Sequence, residues 1–329
     1  MVFGSPRASL GSRLLWLACL AGIAALSMLG SFAQCSPALS LSLKHANNGL
    51  MRRVYLSDSK RFGSSNGGRS VESIENMQTL SSSNLMNAYQ TLNITNLCGA
   101  QCVIIKSPSP EEFQFNSFQL NSQIYNHILP EEIEFGKIKE KSNDAQLNKF
   151  IGGRIALRRA CDILEVSELA PIMRDSWGAP VLPMHLTGSI SHKDYYAVGV
   201  AAIDDKGRVG VDIERCNNKA ANTLQRRVLT ENERKTLGTL PNIPIEEDIL
   251  LRFSFKESVY KAIHPFVPRS VDFAEVEVYP QVDGSAVIQF LLKTKETFSF
   301  KASWSRFREI YWVTCVYVSD PRTLCTKYR

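Results

Sequence analysis

The chain has 329 residues, 44% of them hydrophobic and 21% charged, which is enough to bury a core in one large or two modest domains. Its 38 Lys/Arg and 32 Asp/Glu give a formal charge of +6, yet eight of the basic residues and a single acid, Asp58, fall in residues 1–70. The other 259 residues hold 30 basic and 31 acidic side chains, a net charge of −1, so the positive field of a nucleic-acid binder is missing and no nucleic-acid partner is expected.

The basic leader has two parts. Arg7 and Arg13 precede a nearly unbroken apolar run, Leu14 to Leu29, that ends at small residues around Ser31-Phe32-Ala33. A charged start, a short apolar stretch and a small-residue exit read as a signal peptide over residues 1–33. Its sixteen residues fall short of the roughly 20 that cross a bilayer, so the mature protein is expected to have no stable membrane span. Residues 34–97 read as a transit-peptide-like and disordered lead-in, rich in Ser, then in Ser, Asn and Gly. A signal peptide followed by such a stretch is similar to the bipartite leaders of plastids bounded by extra membranes; the alternative address is the secretory pathway. The eight cysteines show no zinc-ligand pairing, and their redox state follows the compartment: disulfides in a secretory lumen, mostly thiols in a plastid stroma.

The compact part is expected from residue 98, as an N-terminal half, 98–205, and a C-terminal half, 206–325. CVIIK, ending at Lys106, reads as a first strand, a helix follows Pro130, and Asp144 to Leu164 carries an apolar stripe (Leu147, Phe150, Ile151, Ile155, Leu157) at helical spacing. Ser189 to Ile203 and Arg208 to Ile213 read as a hairpin across the turn at Asp204 to Gly207. Thr230 to Glu233 is a capping box, and the helix over residues 246–263 is stopped by Pro265. Four strands after Val271 read as a closing antiparallel sheet. Grouped helices and strands define an α+β fold.

Asp212 and Glu214 lie two apart on a strand, so both side chains leave one face while Val211 and Ile213 point to the core. Converging carboxylates repel unless a cation sits between them. Ser254, Glu257 and Lys261 share a face of the later helix at i, i+3 and i+7. If that helix packs on the strand, Glu257 completes a three-carboxylate site suited to Mg2+, with Lys261 one turn away for phosphate. Taken singly, each pattern is more often a solvated strand end or a salt-bridged helix surface.

GVDIE (Gly210 to Glu214) followed by FSFKESVYK (Phe253 to Lys261) resembles the paired signatures of 4′-phosphopantetheinyl transferases, of the surfactin and enterobactin-synthase type, and the 45-residue separation of Asp212 and Glu257 agrees with that family. WGAPVLP (Trp177 to Pro183), TGSISHKDYYAVGVAA (Thr187 to Ala202) and FIGGRIALRRA (Phe150 to Ala160) resemble its upstream segments. The resemblance covers about residues 98–320. It implies two similar α/β subdomains related by a pseudo-twofold, with a coenzyme A cleft between them, and a monomer. It also implies transfer of the phosphopantetheine arm of coenzyme A to a serine of an apo acyl or peptidyl carrier protein. Asp212, Glu214 and Glu257 would hold Mg2+; Glu257 and Lys261 would be catalytic; Arg154, Ser191, His192, Lys256 and Lys261 would contact coenzyme A. In place of the acid that often precedes the Gly-Arg pair of the family's early helix, this chain has Asn148-Lys149-Phe150.

Two rivals come from other classes. Some metal-dependent nucleases pair an Asp with Glu-x-Lys, but here Lys261 follows Glu257 by four and the charge is wrong. A degenerate homologue serving as a carrier-binding module would have lost an acid, and all three are present.

Overall fold

The computed structural model describes residues 89–109, 113, 128–139, 144–166, 168–204, 207–217, 221–267, 269–291 and 298–319. All of these belong to one compact unit, Ser70–Arg329. Strand β1 (Gln90–Leu97) turns at Cys98-Gly99 into β2 (Ala100–Lys106). Both turn residues have positive φ, 56° and 85°, the two-residue geometry whose twist matches paired strands. β1 is the outer strand of an antiparallel sheet with order β1-β2-β4-β3, and its side chains are mostly exposed or half-buried. An edge strand of this kind can be polar throughout, which is why QTLNITNL resembles a disordered lead-in; the sheet begins at Gln90, not after residue 97. The segments expected to be a signal peptide and the rest of the lead-in lie outside the described residues.

Helix α1 (Pro130–Lys139) precedes α2 (Asp144–Ile163). The buried stripe of α2, including Leu147, Phe150, Ile151, Ile155 and Leu157, packs on Val103, Ile105, Ala197 and Ala201 of the sheet. A Cβ at Gly199 would come within 2.4 Å of the Leu157 nitrogen, so only glycine admits the helix there.

The Ser189 to Ile203 run is not one strand of the expected hairpin. It folds back on itself, as β3 (Leu186–Lys193) against β4 (Tyr196–Ile203), with Asp194 at φ 54° in the turn. The Asp194 carboxylate is held there by Arg215 Nε and the Tyr311 hydroxyl, each at 2.6 Å. β5 (Gly207–Arg215) pairs instead with β9 (Tyr311–Ser319), and β9 with β8 (Ser299–Phe307). β6 (Val276–Pro280) and β7 (Ala286–Phe290) form a separate two-stranded ribbon, so the late strands divide between two sheets.

Three α-helices are described between β5 and β6. α3 (Ala221–Val228) is followed by α4 (Glu231–Lys235), whose capping box closes as expected. α5 (Ile245–Ile263) ends two residues before Pro265. α5 covers the β5-β9-β8 sheet, pressed so close that a Cβ on Gly210 would fall 2.0 Å from the Ser258 carbonyl oxygen. The two sheets pack against each other through Ile104, Val198 and Val200 on one side and Val211, Ile213 and Val313 on the other. The order helix, sheet, sheet, helix is an α+β arrangement. No helix among the described residues is long and apolar enough to cross a membrane.

The inner edges of the two sheets, β3 and β5, meet without a backbone ladder. The Val209 and Val211 N–H groups donate instead to the side-chain oxygens of Thr187 and Ser189, at 2.9 and 3.2 Å.

Candidate active site

Asp212 sits at this seam, buried and held from three sides. Its Oδ1 accepts from the Ser191 hydroxyl at 2.8 Å and the Lys261 ammonium at 3.0 Å, and its Oδ2 accepts from the Ser254 hydroxyl at 2.9 Å. Lys261 also donates to the Val211 carbonyl at 2.8 Å and to Ser191 Oγ at 3.1 Å. Behind Ser254 lie two more fully buried hydroxyls. Thr314, opposite Asp212 in the β5–β9 register, shares hydrogen bonds with Ser254 at 2.9 Å and Ser258 at 2.8 Å. This chain fixes which way the Asp212 carboxylate faces. Thr314→Val keeps the shape and removes the shared hydroxyl. It is expected to cost about 1–3 kcal/mol in urea unfolding, with Thr314→Ser restoring the parent value; a Val protein as stable as the parent would show the chain to be idle.

Glu214 leaves the same face of β5 as Asp212 and is also buried. Lys193 Nζ lies 2.7 and 3.0 Å from its two oxygens. Burial raises its pKa, as does the charge of Asp212, and Lys193 opposes both. Glu257, half-buried on α5, is pushed up to about 7, first by desolvation and next by the Asp212 charge, with Glu214 adding to it and Lys261 opposing. The three acids thus lie within one another's field, as their spacing implies. Among the described residues no cluster of three His, Cys, Asp or Glu is drawn tightly enough to hold a metal ion. Two lysines face two of the acids instead. The donor set nevertheless suits a hard divalent cation: all-oxygen, mutually repelling, and backed by fixed hydroxyls.

A second charge group adjoins the acids. The His192 imidazole is held below its usual pKa by desolvation first and then by the positive charges of Lys149, Lys261 and Arg174. Its own backbone hydrogen bond opposes this lowering without reversing it. A cluster of this sign is relieved by an anion. Lys193 and Arg174 were not singled out from sequence. Lys193 follows Ser191 at the strand period and so shares its face of β3, a readable signal; Arg174 comes from an irregular segment and offered none. Trp177 of WGAPVLP packs against His264 with ring centroids 4.5 Å apart and the rings tilted by 54°, tying that segment to the end of α5.

Two expected coenzyme contacts are corrected. Lys256 faces away from the acids: its ammonium donates to the Val228 carbonyl at 2.7 Å, Glu233 Oε2 at 2.7 Å and the Phe273 carbonyl at 2.9 Å. All three of its donors are used inside the fold. One residue along a helix is about 100° of rotation, so a lysine beside Glu257 in sequence looks onto a different neighbour. Arg154 is buried over the Phe150 ring, with Nε donating to the Ile172 carbonyl at 2.6 Å and Nη2 to that of Met173 at 3.3 Å. It braces the segment that carries Arg174. The neighbouring Arg158 and Arg159 are likewise engaged, with Glu132 and with Tyr89 and Thr91. Ser191 lies at the site, with Asp212 and Lys261 as its partners.

Residues 208–316 match the profile of the 4′-phosphopantetheinyl transferase superfamily, and residues 136–202 match that of the 4′-phosphopantetheinyl transferase N-terminal domain. The chain belongs to the 4′-phosphopantetheinyl transferase superfamily. It is 30% identical over 150 residues to the 4′-phosphopantetheinyl transferase Svp of Streptomyces mobaraensis, covering 45% of this chain and 60% of the relative. It is 32% identical over 148 residues to the 4′-phosphopantetheinyl transferase Npt of Nocardia iowensis, covering 44% and 65%. Enterobactin synthase component D of Salmonella typhi is 39% identical over 84 residues, covering 25% and 34%. The chain thus spans less than two thirds of the length of each of these relatives.

Proposed function

We propose that the protein transfers the 4′-phosphopantetheine arm of coenzyme A to a serine of an apo acyl carrier protein, with Mg2+, as a holo-[acyl-carrier-protein] synthase. The observation that carries this reading is Asp212, fixed from three sides, with two further acids in its field and a cation cluster alongside. The carrier's serine oxygen attacks the phosphorus bearing pantetheine. A P–O bond forms there, the bond to the adenosine side of the pyrophosphate breaks, and 3′,5′-ADP leaves. Catalysis of such a step is mostly positioning and charge neutralisation. Glu257 would take the serine proton, directly or through water. Lys261 offsets charge on the leaving group. Lys149 and Arg174 form the cationic side for coenzyme A phosphates, with the His192 imidazole beside them. Asp212, Glu214 and Glu257 would hold Mg2+, which when bound neutralises the pyrophosphate.

A pseudo-twofold relation of the two halves, with coenzyme A between them and one chain supplying both as a monomer, fits the glycine at which a helix meets each sheet, Gly199 under α2 and Gly210 under α5. The leader supports a plastid address and hence an acyl carrier protein of fatty-acid synthesis; a fluorescent protein carrying residues 1–80 that stays in the secretory pathway would redirect both. The reaction itself is tested by incubating apo acyl carrier protein with coenzyme A and Mg2+. A mass gain of one phosphopantetheine, abolished by a chelator, is expected, and an unchanged carrier mass would refute the reading.

A further inference from the structure

On the far side of β9 from α5, a pair of thiols bridges the first and last described strands. Cys98 occupies the β1–β2 turn, partly open to solvent, and Cys315 is buried in the middle of β9, opposite Val211 and next to Thr314. As a thiol, Cys98 donates to the Cys315 carbonyl at 3.1 Å and lies 3.1 Å from the Ser303 hydroxyl, while the Cys315 thiol points back to the Leu97 carbonyl at 3.7 Å. Each sulfur is therefore directed at the backbone beside the other. We propose that Cys98 and Cys315 form a thiol–disulfide exchange site, with Cys98 as the attacking sulfur, Cys315 as the resolving sulfur and a low-molecular-weight disulfide of the glutathione type as the reactant.

The surroundings assign the two roles. The Cys98 thiolate would accept from the Cys315 S–H, the Ser303 hydroxyl and the backbone N–H groups of Tyr317 and Ser303; the Cys315 bond first, against the opposing effect of burial, brings its pKa to about 7. The Cys315 thiol is pushed well above its ordinary value by that same bond and by burial, and the fully buried Cys102 is pushed up to about 12 by burial. The nucleophilic form thus accumulates at the one sulfur of the three that solvent can reach. Cys98 as thiolate attacks the disulfide, forming a mixed disulfide and expelling one thiolate. Cys315, giving up its proton, then attacks the Cys98 sulfur and expels the second. The protein loses two electrons and two protons, and the reactant becomes two thiols. The product links residues 217 apart and fastens the β1–β2 turn to the strand paired with β5, which carries Asp212 and Glu214.

The test is to expose the full chain to oxidised glutathione, block remaining thiols with an alkylating agent, and map the unreduced digest. Because Cys98 and Cys102 share a tryptic peptide, fragmentation between them assigns the bond. A Cys98–Cys315 linked pair, lighter by two hydrogens and released by reductant, is expected. Cys98→Asn, which tolerates the positive φ, should leave Cys315 unmodified under the same treatment. Three results would each overturn the proposal: glutathione retained on Cys98 with Cys315 alkylated, a Cys98–Cys102 bond, or Cys98 recovered wholly alkylated.

Discussion

Glu257→Gln is expected to lower phosphopantetheine transfer by about 10²–10⁴-fold, while making the metal-free protein more stable at alkaline pH. The stability gain follows from linkage. Glu257 ordinarily titrates near 4.5 but in the folded protein near 7, so between those values the folded chain keeps a proton that the unfolded chain has released. Stability from this group therefore falls as pH rises through that window, and the whole penalty is present above about pH 7. Glutamine carries no such charge. In urea unfolding with a chelator present, the variant should match the parent at the acid end of the window and exceed it above pH 7 by roughly 1–3 kcal/mol, the lower part of that range allowing for the half-exposed side chain. Mg2+ should bind the parent more tightly as pH rises through 7, because the carboxylate is the ligand form. Parallel pH profiles for parent and variant would remove Glu257 from the field of Asp212 and Glu214.

Lys256→Met should have the opposite character: a large loss of stability and no specific effect on coenzyme A. Lys256 and Glu233 are both almost fully buried and lie 2.7 Å apart, and Glu233 also accepts from the Thr230 and Val278 N–H groups. Deleting the ammonium leaves a buried carboxylate without its counter-charge, a change that costs about 3–5 kcal/mol in comparable pairs. Lys256→Met/Glu233→Gln removes the stranded charge and should recover a substantial share of that loss in urea unfolding. A stable Lys256→Met protein with a raised KM for coenzyme A would return this lysine to the binding site and overturn the assignment made from its bonds.

These two residues mark what could be read from sequence. Asp212, Glu214, Glu257 and Lys261 were legible because strand and helix periods settle which side chains share a face. Lys256 was misread because a motif reports neighbours along the chain, whereas a helix distributes them around its axis. The hairpin was misplaced because its turn at Asp194-Tyr195 contains no glycine or proline, and the alternating run passes through it unbroken. β1 was missed because the strand at the rim of a sheet has little to bury. Lys193 and Arg174 depend on tertiary placement: each matters through a charge brought close by folding.

The seam between β3 and β5 also determines how the two sheets find their alignment. Backbone ladders accept nearly any residue, so sliding one strand along another is resisted mainly by the faces the side chains present. Here the acceptors are Thr187 and Ser189, with Ser191 reaching Asp212 two residues on. A slip of one residue would bring Gly188 and Ile190 to those places, neither of which has a side-chain oxygen to offer. The three hydroxyls thus bar a slip of one residue, and in the observed alignment the carboxylate of Asp212 is already held.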